Sequence, residues 1–383
     1  MLRSKISKVQ SASYALQWLT LCILVYGLLV AVVTIGQGFK FAAGDQTEEL
    51  FAYAKNPFLG LMVGIFFTAL IQSSSTVTSI IVGLVAGGMP VSIAVPMVMG
   101  ANLGTSVTNT VVSFGHLRDT QQFQRAFAAA TILDMFNLLA VVILLPVELR
   151  FHCLEHLAEF SSHWLVDEVS VDIAQYNILS QSIGPAVATI QSVTRQVHGV
   201  AAGILEVFVG IVFIVASITG MSKLLSYLMV GMARELLQKT IGRGPLTGIF
   251  SGTIVTVMVQ SSSTTTSLMV PLAGGGVLSL RQIYPFTLGA NVGTCITALL
   301  AATAVSGETQ RQALEIALVH LYFNLIGVTI IFGLPFLREV PIRLAERLGD
   351  RASRQKSIAL VYVGVLFFLV PCMFLGLSWV LRF

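Results

Sequence analysis

The chain has 383 residues, 55% hydrophobic and only 10% charged, with a formal net charge of +4 and a mean hydropathy of +0.85. Soluble domains carry about 25% charged residues, so the composition excludes an ordinary soluble protein and gives nucleic-acid binding no support. What remains is an integral membrane protein, and the apolar runs lack the period-2 alternation of a membrane barrel, so its fold is all-α and polytopic.

Apolar runs at 14–36, 93–113, 122–147, 199–220, 283–304, 312–337 and 357–380 approach or exceed the roughly 20 residues a helix needs to cross hydrocarbon. The first follows Arg3, Lys5 and Lys8, is longer than a signal-peptide apolar core and has no small-residue cleavage site, so it predicts a retained helix within an N-terminal segment, 1–57, whose start is cytoplasmic. A first repeat unit at 58–148 opens with an apolar run split by QSSSTVTS (72–79). Each arm of about 15 residues reaches about 22 Å, short of a core about 30 Å thick, which predicts a re-entrant hairpin. GANLGTS (100–106), opening the stretch GANLGTSVTNT (100–110), then puts two glycines and an asparagine inside a spanning segment, which predicts an unwound helix. Thr131, Asp134 and Asn137 follow at i, i+3 and i+6, an oxygen-rich stripe on one helix face.

The stretch 148–198 is richer in acids (Glu148, Glu155, Glu159, Asp167, Glu168, Asp172) than in bases and fits the extracytoplasmic side. It opens the 149–245 segment, which continues with a connecting membrane helix and a cytoplasmic amphipathic part marked by Lys223, Arg234, Lys239 and Arg243. A second repeat unit occupies 246–337. A basic cytoplasmic loop with Arg338, Arg343, Arg347, Arg351, Arg354 and Lys356 precedes the last membrane helix in 338–383. Cys22, Cys153, Cys295 and Cys372 show no disulfide framework or metal-site spacing.

Displaced by 188 residues, the stretch 58–88 lies over 246–276, matching Gly60 to Gly248, Gly64 to Gly252 and the octet QSSSTVTS to QSSSTTTS (260–267). One residue of adjustment puts GANLGTSVTNT over GANVGTCITAL (289–299), and another puts FNLL (136–139) over FNLI (323–326). Three ordered polar blocks at nearly equal spacing define two homologous halves. Counting crossings with re-entrant hairpins starts the first half outside and the second inside, an inverted-topology repeat.

Polar backbone breaks at membrane depth are tolerated where they line a cavity. Two hairpin tips and two broken helices meeting near the midplane would form a polar chamber. Hydroxyls, amides and free N–H groups there are donors to an oxyanion. Their oxygens, including those of Asn102, Thr105, Asn291, Thr131, Asp134 and Asn137, are hard ligands suited to a small alkali cation. No Lys or Arg lies in any of the four blocks, so a bound anion is expected to take its neutralising charge from co-bound cations: cation-coupled anion transport rather than a pore lined by basic rings. The structural alternatives are hydroxyls bonding the preceding helical turn and small residues that let helices approach. Asp134, Glu206, Glu315 and His320 are ionisable groups set within the apolar runs, each a functional candidate.

The duplicated QSSS, the stretch GANLGTSVTNT followed by RAFAAATILDMFNLL, and GANVGTCIT resemble the type II sodium-dependent phosphate cotransporter family over roughly 58–148 and 246–337. The resemblance implies coupled import of sodium and inorganic phosphate, with no cofactor beyond the coupling ions. It implies phosphate binding by Gln72, Ser73, Ser74, Ser75, Gln260, Ser261, Ser262 and Ser263, and a sodium site at Gln260, Ser261, Thr294 and Thr297. Ala128, Ala130 and Asp134 match the family's electrogenic pattern, three sodium ions per divalent phosphate. The polar segment has one Cys and no N-x-S/T sequon, which fits a bacterial inner-membrane protein, and Cys295 departs from the hydroxyl residue expected there. Rival readings are a carrier of another oxyanion such as sulfate or a dicarboxylate, a membrane scaffold, and an intramembrane serine hydrolase at Ser73 or Ser261. For the hydrolase, neither octet forms G-x-S-x-G and no His lies close in either hairpin.

Overall fold

Seven stretches in the computed structural model are helices long and apolar enough to cross a membrane, and they coincide with the seven apolar runs of the sequence. The structure describes residues 2–44, 56–173, 178–240 and 243–381. Most of the linker expected before residue 58 lies outside them, as do the side chains of Arg3, Lys5, Lys8, Asp167, Glu168, Asp172 and Arg234 used for orientation. No strand occurs among the described residues.

In chain order, α1 (Leu2–Ala43) leads to a helix–turn–helix, α2 (Pro57–Ile71) and α3 (Ser74–Ala86). Then come α4 (Val91–Leu103), a 3₁₀ turn at Gly104–Ser106, α5 (Val107–Ser113) and the long α6 (Thr120–Phe151). Two helices, α7 (Cys153–Ile173) and α8 (Ile178–Thr194), precede α9 (Val200–Thr240). The second half repeats the first as α10 (Pro245–Val259), α11 (Ser262–Ser267), α12 (Met269–Gly274), α13 (Leu280–Ala302) and α14 (Gln310–Gly327). It continues with α15 (Pro335–Arg354), α16 (Ser357–Gly364) and α17 (Val370–Leu381).

The halves pack reciprocally. In each, the first arm lies along the following helix, α2 on α4 and α10 on α13. Across the halves, α3 packs on α14 while α12 packs on α6, and α7 lies on α14 while α15 lies on α6. Each half thus meets the other through matching elements. The leading helices α1 and α9 pack along each other. The arms of α2 and α10 are 15 residues each, about 22 Å long and too short to cross the hydrocarbon.

Two expectations are corrected. The second GANxGT block is not unwound: it lies inside the uninterrupted α13, and the first only tightens into a single 3₁₀ turn. The glycines serve helix crossing. A Cβ on Gly100 would lie 2.1 Å from the Leu61 carbonyl oxygen and one on Gly289 1.9 Å from that of Ile249. Their partners across the crossing, Gly64 and Gly252, leave equally little room, 2.1 Å from Met97 O and 2.0 Å from Phe286 O, so the small-residue packing alternative holds for these positions. The basic 338–356 stretch is not a loop. Ile342, Ala345, Gly349 and Ala352 recur at three- and four-residue spacing, bury one face of α15 against α6 and leave the arginines outward. Between the halves, where the sequence left the secondary structure open, the acidic stretch after 148 is largely helical, and the connecting helix runs on through the basic segment as one helix, α9.

Candidate functional site

Each QSSS tip is built the same way. Gln72 (φ 62°, ψ 27°) and Gln260 (φ 55°, ψ 31°) close the first arm in the left-handed region, which non-glycine residues seldom enter. Their N–H groups donate to Thr68 O and Thr256 O at 2.8 and 2.7 Å. Their side-chain amides donate back to Ala69 O and, at 2.8 Å, to Val257 O, satisfying carbonyls at the helix end. Ser73 and Ser261 then cap the second arm, accepting from Thr76 N at 3.2 Å and Thr264 N at 3.1 Å. The glutamine and first serine of each motif therefore make the turn.

The second and third serines are free for other work. Ser74, Ser75, Ser262 and Ser263 are buried, yet their hydroxyls make no hydrogen bond among the described residues. All four line one cavity of about 330 Å³ between the two tips. The cavity is completed by Thr108 from α5, Thr264 from α11, and Ile218, Thr219, Ser222 and Lys223 from α9. An oxyanion there meets hydroxyl donors from both halves. It also meets a lysine, which corrects the expectation that no fixed cation faces the site: none lies in the blocks, but α9 supplies one.

The expected sodium ligands do not gather at one place. Thr297 Oγ1 donates to Gln260 Oε1 at 2.9 Å, binding the second tip to α13. The first half has the same bond from Thr108 to Gln72 Oε1 at 2.7 Å, a pair that sequence reasoning missed although Thr108 and Thr297 align under the 189-residue offset. Thr105 and Thr294 instead bond their own helices, at Ala101 O (3.2 Å) and Ala290 O (3.0 Å). Matched hydroxyls of Thr68 and Thr256, just before the tips, are buried without a hydrogen-bond partner among the described residues.

The asparagines converge elsewhere, in a buried cluster joining the halves. Asn291 Nδ2 donates to Asn137 Oδ1 (2.9 Å) and Asn324 Oδ1 (2.6 Å), Asn137 Nδ2 donates to Asn102 O (2.9 Å), and His320 Nε2 lies 3.1 Å from Asn102 Oδ1. Asn324 Nδ2 reaches Cys295 Sγ at 3.2 Å, so Cys295 takes part in this cluster.

The Thr131, Asp134, Asn137 stripe is buried, but its members reach different partners. Thr131 bonds Phe127 O at 2.9 Å, Asp134 Oδ2 accepts from Tyr362 Oη at 2.9 Å, and Asn137 joins the asparagine cluster. Glu206 is buried beside Gln191 (3.0 Å) and Arg195 (3.7 Å), remote from the tip cavity's lining. Glu315, on α14, is not among the residues lining the cavity.

These features define a helical, multi-pass membrane protein of two related halves that bring duplicated polar turns together at one partly open cavity. Residues 27–153 and 212–380 match the family described as Na+/Pi-cotransporter. The chain is 33% identical over 422 residues to sodium-dependent phosphate transport protein 2A of Rattus norvegicus, covering 92% of this chain and 66% of that protein. It is 34% identical over 424 residues to protein 2A of Oryctolagus cuniculus, with the same coverage of each chain, and 31% identical over 441 residues to protein 2B of Homo sapiens, covering 92% and 64%. The chain thus spans just under two thirds of the length of these relatives. No solved structure matches significantly. The chain belongs to the Na+/Pi-cotransporter family.

Proposed function

We propose that this protein imports inorganic phosphate together with sodium by alternating access. The observation that carries the reading is the single cavity lined by both QSSS tips, with four serine hydroxyls not committed to the fold. Relatives named as sodium-dependent phosphate transport proteins supply the substrate class. Three apolar spans, Val91–His116, Thr120–Phe151 and Val200–Met229, separate the two short-armed turns. In this reading the odd number of crossings has the two hairpins enter from opposite sides and meet at their tips, which supports inverted halves, with the N-terminus cytoplasmic in a bacterial inner membrane.

In this reading Ser74, Ser75, Ser262 and Ser263 donate to phosphate, while Ser73, Ser261, Gln72 and Gln260 hold the tips that present them. Sodium is taken by oxygen pairs that the fold already brings together. Gln260 Oε1 with Thr297 Oγ1 is one such pair, because a hydroxyl turned away from its acceptor offers a lone pair to a cation; Ser261 and Thr294 flank it. Asn102, Thr105, Asn291, Thr131, Asp134 and Asn137 are the remaining candidates, Asp134 carrying the negative charge of an electrogenic cycle of three sodium ions per divalent phosphate. No enzymatic step and no resident cofactor is invoked. The test is ³²P-phosphate uptake into proteoliposomes with and without an inward sodium gradient, with sulfate and a dicarboxylate as competitors. Gradient-dependent uptake that neither competitor inhibits is expected; sodium-indifferent uptake, or displacement of phosphate by sulfate, contradicts the proposal.

A further inference from the structure

Of the side chains lining the tip cavity, one is ionisable, and it comes from neither tip. Lys223 lies on α9 beside Ser222 and one turn beyond Thr219, both of which line the same cavity. It falls within an apolar stretch of α9, Val200–Met229, where a charged side chain that is kept faces a cavity or a partner rather than lipid. Among the described residues no carboxylate pairs with it; the nearest acid along its helix, Glu235, is held by Lys239. Subtracting the 188-residue offset from 223 gives position 35, where Ile35 is fully buried in the apolar core. The charge therefore belongs to one half only, and the duplicated motif does not supply it.

We infer that the Lys223 ammonium is the fixed positive partner of the oxyanion held between the tips, and so a specificity residue of the site; this rests on reading the cavity as the phosphate site. Neutral hydroxyls donate to an anion but leave its charge unbalanced. An ammonium on a flexible four-carbon stem brings three donors and a full charge, and it can follow the anion as the tips rearrange. Sodium then provides the rest of the neutralising charge instead of all of it, and anion binding keeps a component that does not depend on sodium.

Equilibrium binding of ³²P-phosphate to the detergent-purified full chain at saturating sodium tests this. Lys223→Met should weaken binding about tenfold or more, the range expected for losing a hydrogen bond to a charged group, whereas Lys223→Arg should stay within about threefold of wild type. A second measurement guards against a merely structural effect. Lys223→Cys, in a chain lacking the exposed Cys22, Cys153 and Cys372, is treated with aminoethyl or with methyl methanethiosulfonate. Recovery of binding with the aminoethyl adduct alone supports the inference. Wild-type affinity in Lys223→Met, or equal recovery with the neutral adduct, overturns it while leaving the phosphate reading intact. A wild-type protein that binds sodium but no phosphate brings down both.

Discussion

The two tips share a motif and a backbone but not their surroundings. Both close on a left-handed glutamine and restart on a capping serine, and both hold that glutamine with a threonine, Thr108 of the short α5 and Thr297 of the long α13. Beyond the turn they diverge. The first tip feeds a single helix, α3, with Gly83 packed tightly against Ile35 of α1. At the matched position the second has Pro271, which lacks an N–H and crowds the carbonyl four residues earlier, and its arm breaks into α11 and α12 around Leu268. Charge diverges too: Asp134 aligns with Leu321, and the lysine lining the cavity comes from α9 alone. Duplication thus accounts for the turn and the helix crossings, and asymmetry for what an ion or anion meets there.

The largest expected effect lies in what is duplicated. Gly100→Ala and Gly289→Ala each drive a methyl group into a carbonyl oxygen at a matched crossing, where overpacking costs about 1–3 kcal/mol or more. Both should sharply reduce the yield of monodisperse protein on size exclusion, and to a similar degree. Gly376→Ala, with no atom nearby, should behave as wild type. Damage from only one of the two crossings breaks the equivalence of the halves.

Next comes a residue present in one half. Asp134→Gly should make sodium-driven phosphate uptake independent of membrane potential if transport survives. The field acts with about 2.3 kcal/mol per charge per 100 mV, so potassium–valinomycin clamped uptake resolves the change. An unchanged voltage response shows that Asp134 does not set the charge balance.

A smaller difference separates the two threonine–glutamine bonds. Thr108→Val and Thr297→Val each remove one hydrogen bond, worth about 1 kcal/mol of stability, and should lower the melting temperature alike. Only Thr297→Val should also raise the sodium concentration for half-maximal uptake, by about fivefold for a loss of that size. Equal sodium effects would mean that both tips bind sodium.

How much of this could be read from the sequence follows from what each feature depends on. The seven spans rest on length and hydropathy, and the paired tips on an exact repeat of QSSS, so both were legible. The role of Gly100 and Gly289 was not, because composition cannot separate a glycine that unwinds a helix from one that admits the backbone at Leu61 or Ile249. α15 hid its buried face, Ile342, Ala345, Gly349 and Ala352, among arginines. Lys223 read as a marker of orientation, since nothing local shows that α9 passes the tips. Thr108 stood inside a quoted block, and only the fold reveals Gln72 as its partner.

The smallest effect concerns the ion pair joining α13 to α15. Hydrogen bonding from Arg281, including Nη2 to Oε2 at 2.7 Å, together with its charge and those of Arg343 and Arg338, holds the Glu339 carboxyl below its ordinary value of 4.5. A depressed folded-state value means that the contribution is complete above about 4.5 and is lost as pH falls through the lower value. The pair is exposed, so a shift of a degree or so in melting temperature is expected. Wild type should lose slightly more stability than Glu339→Gln between pH 5 and pH 3, with parallel behaviour above pH 5. A divergence that grows above pH 5 would contradict the assignment.

The central claim is that both tips hold one phosphate, and protection of single cysteines addresses it most directly. Ile71→Cys on the first tip and Thr264→Cys on the second line the same cavity. Each is placed in a chain lacking Cys22, Cys153 and Cys372 and labelled with a charged thiol reagent at increasing phosphate, in saturating sodium. The account predicts that phosphate protects both positions with the same half-saturating concentration. Protection of one tip alone, or of the two at well-separated concentrations, would contradict it.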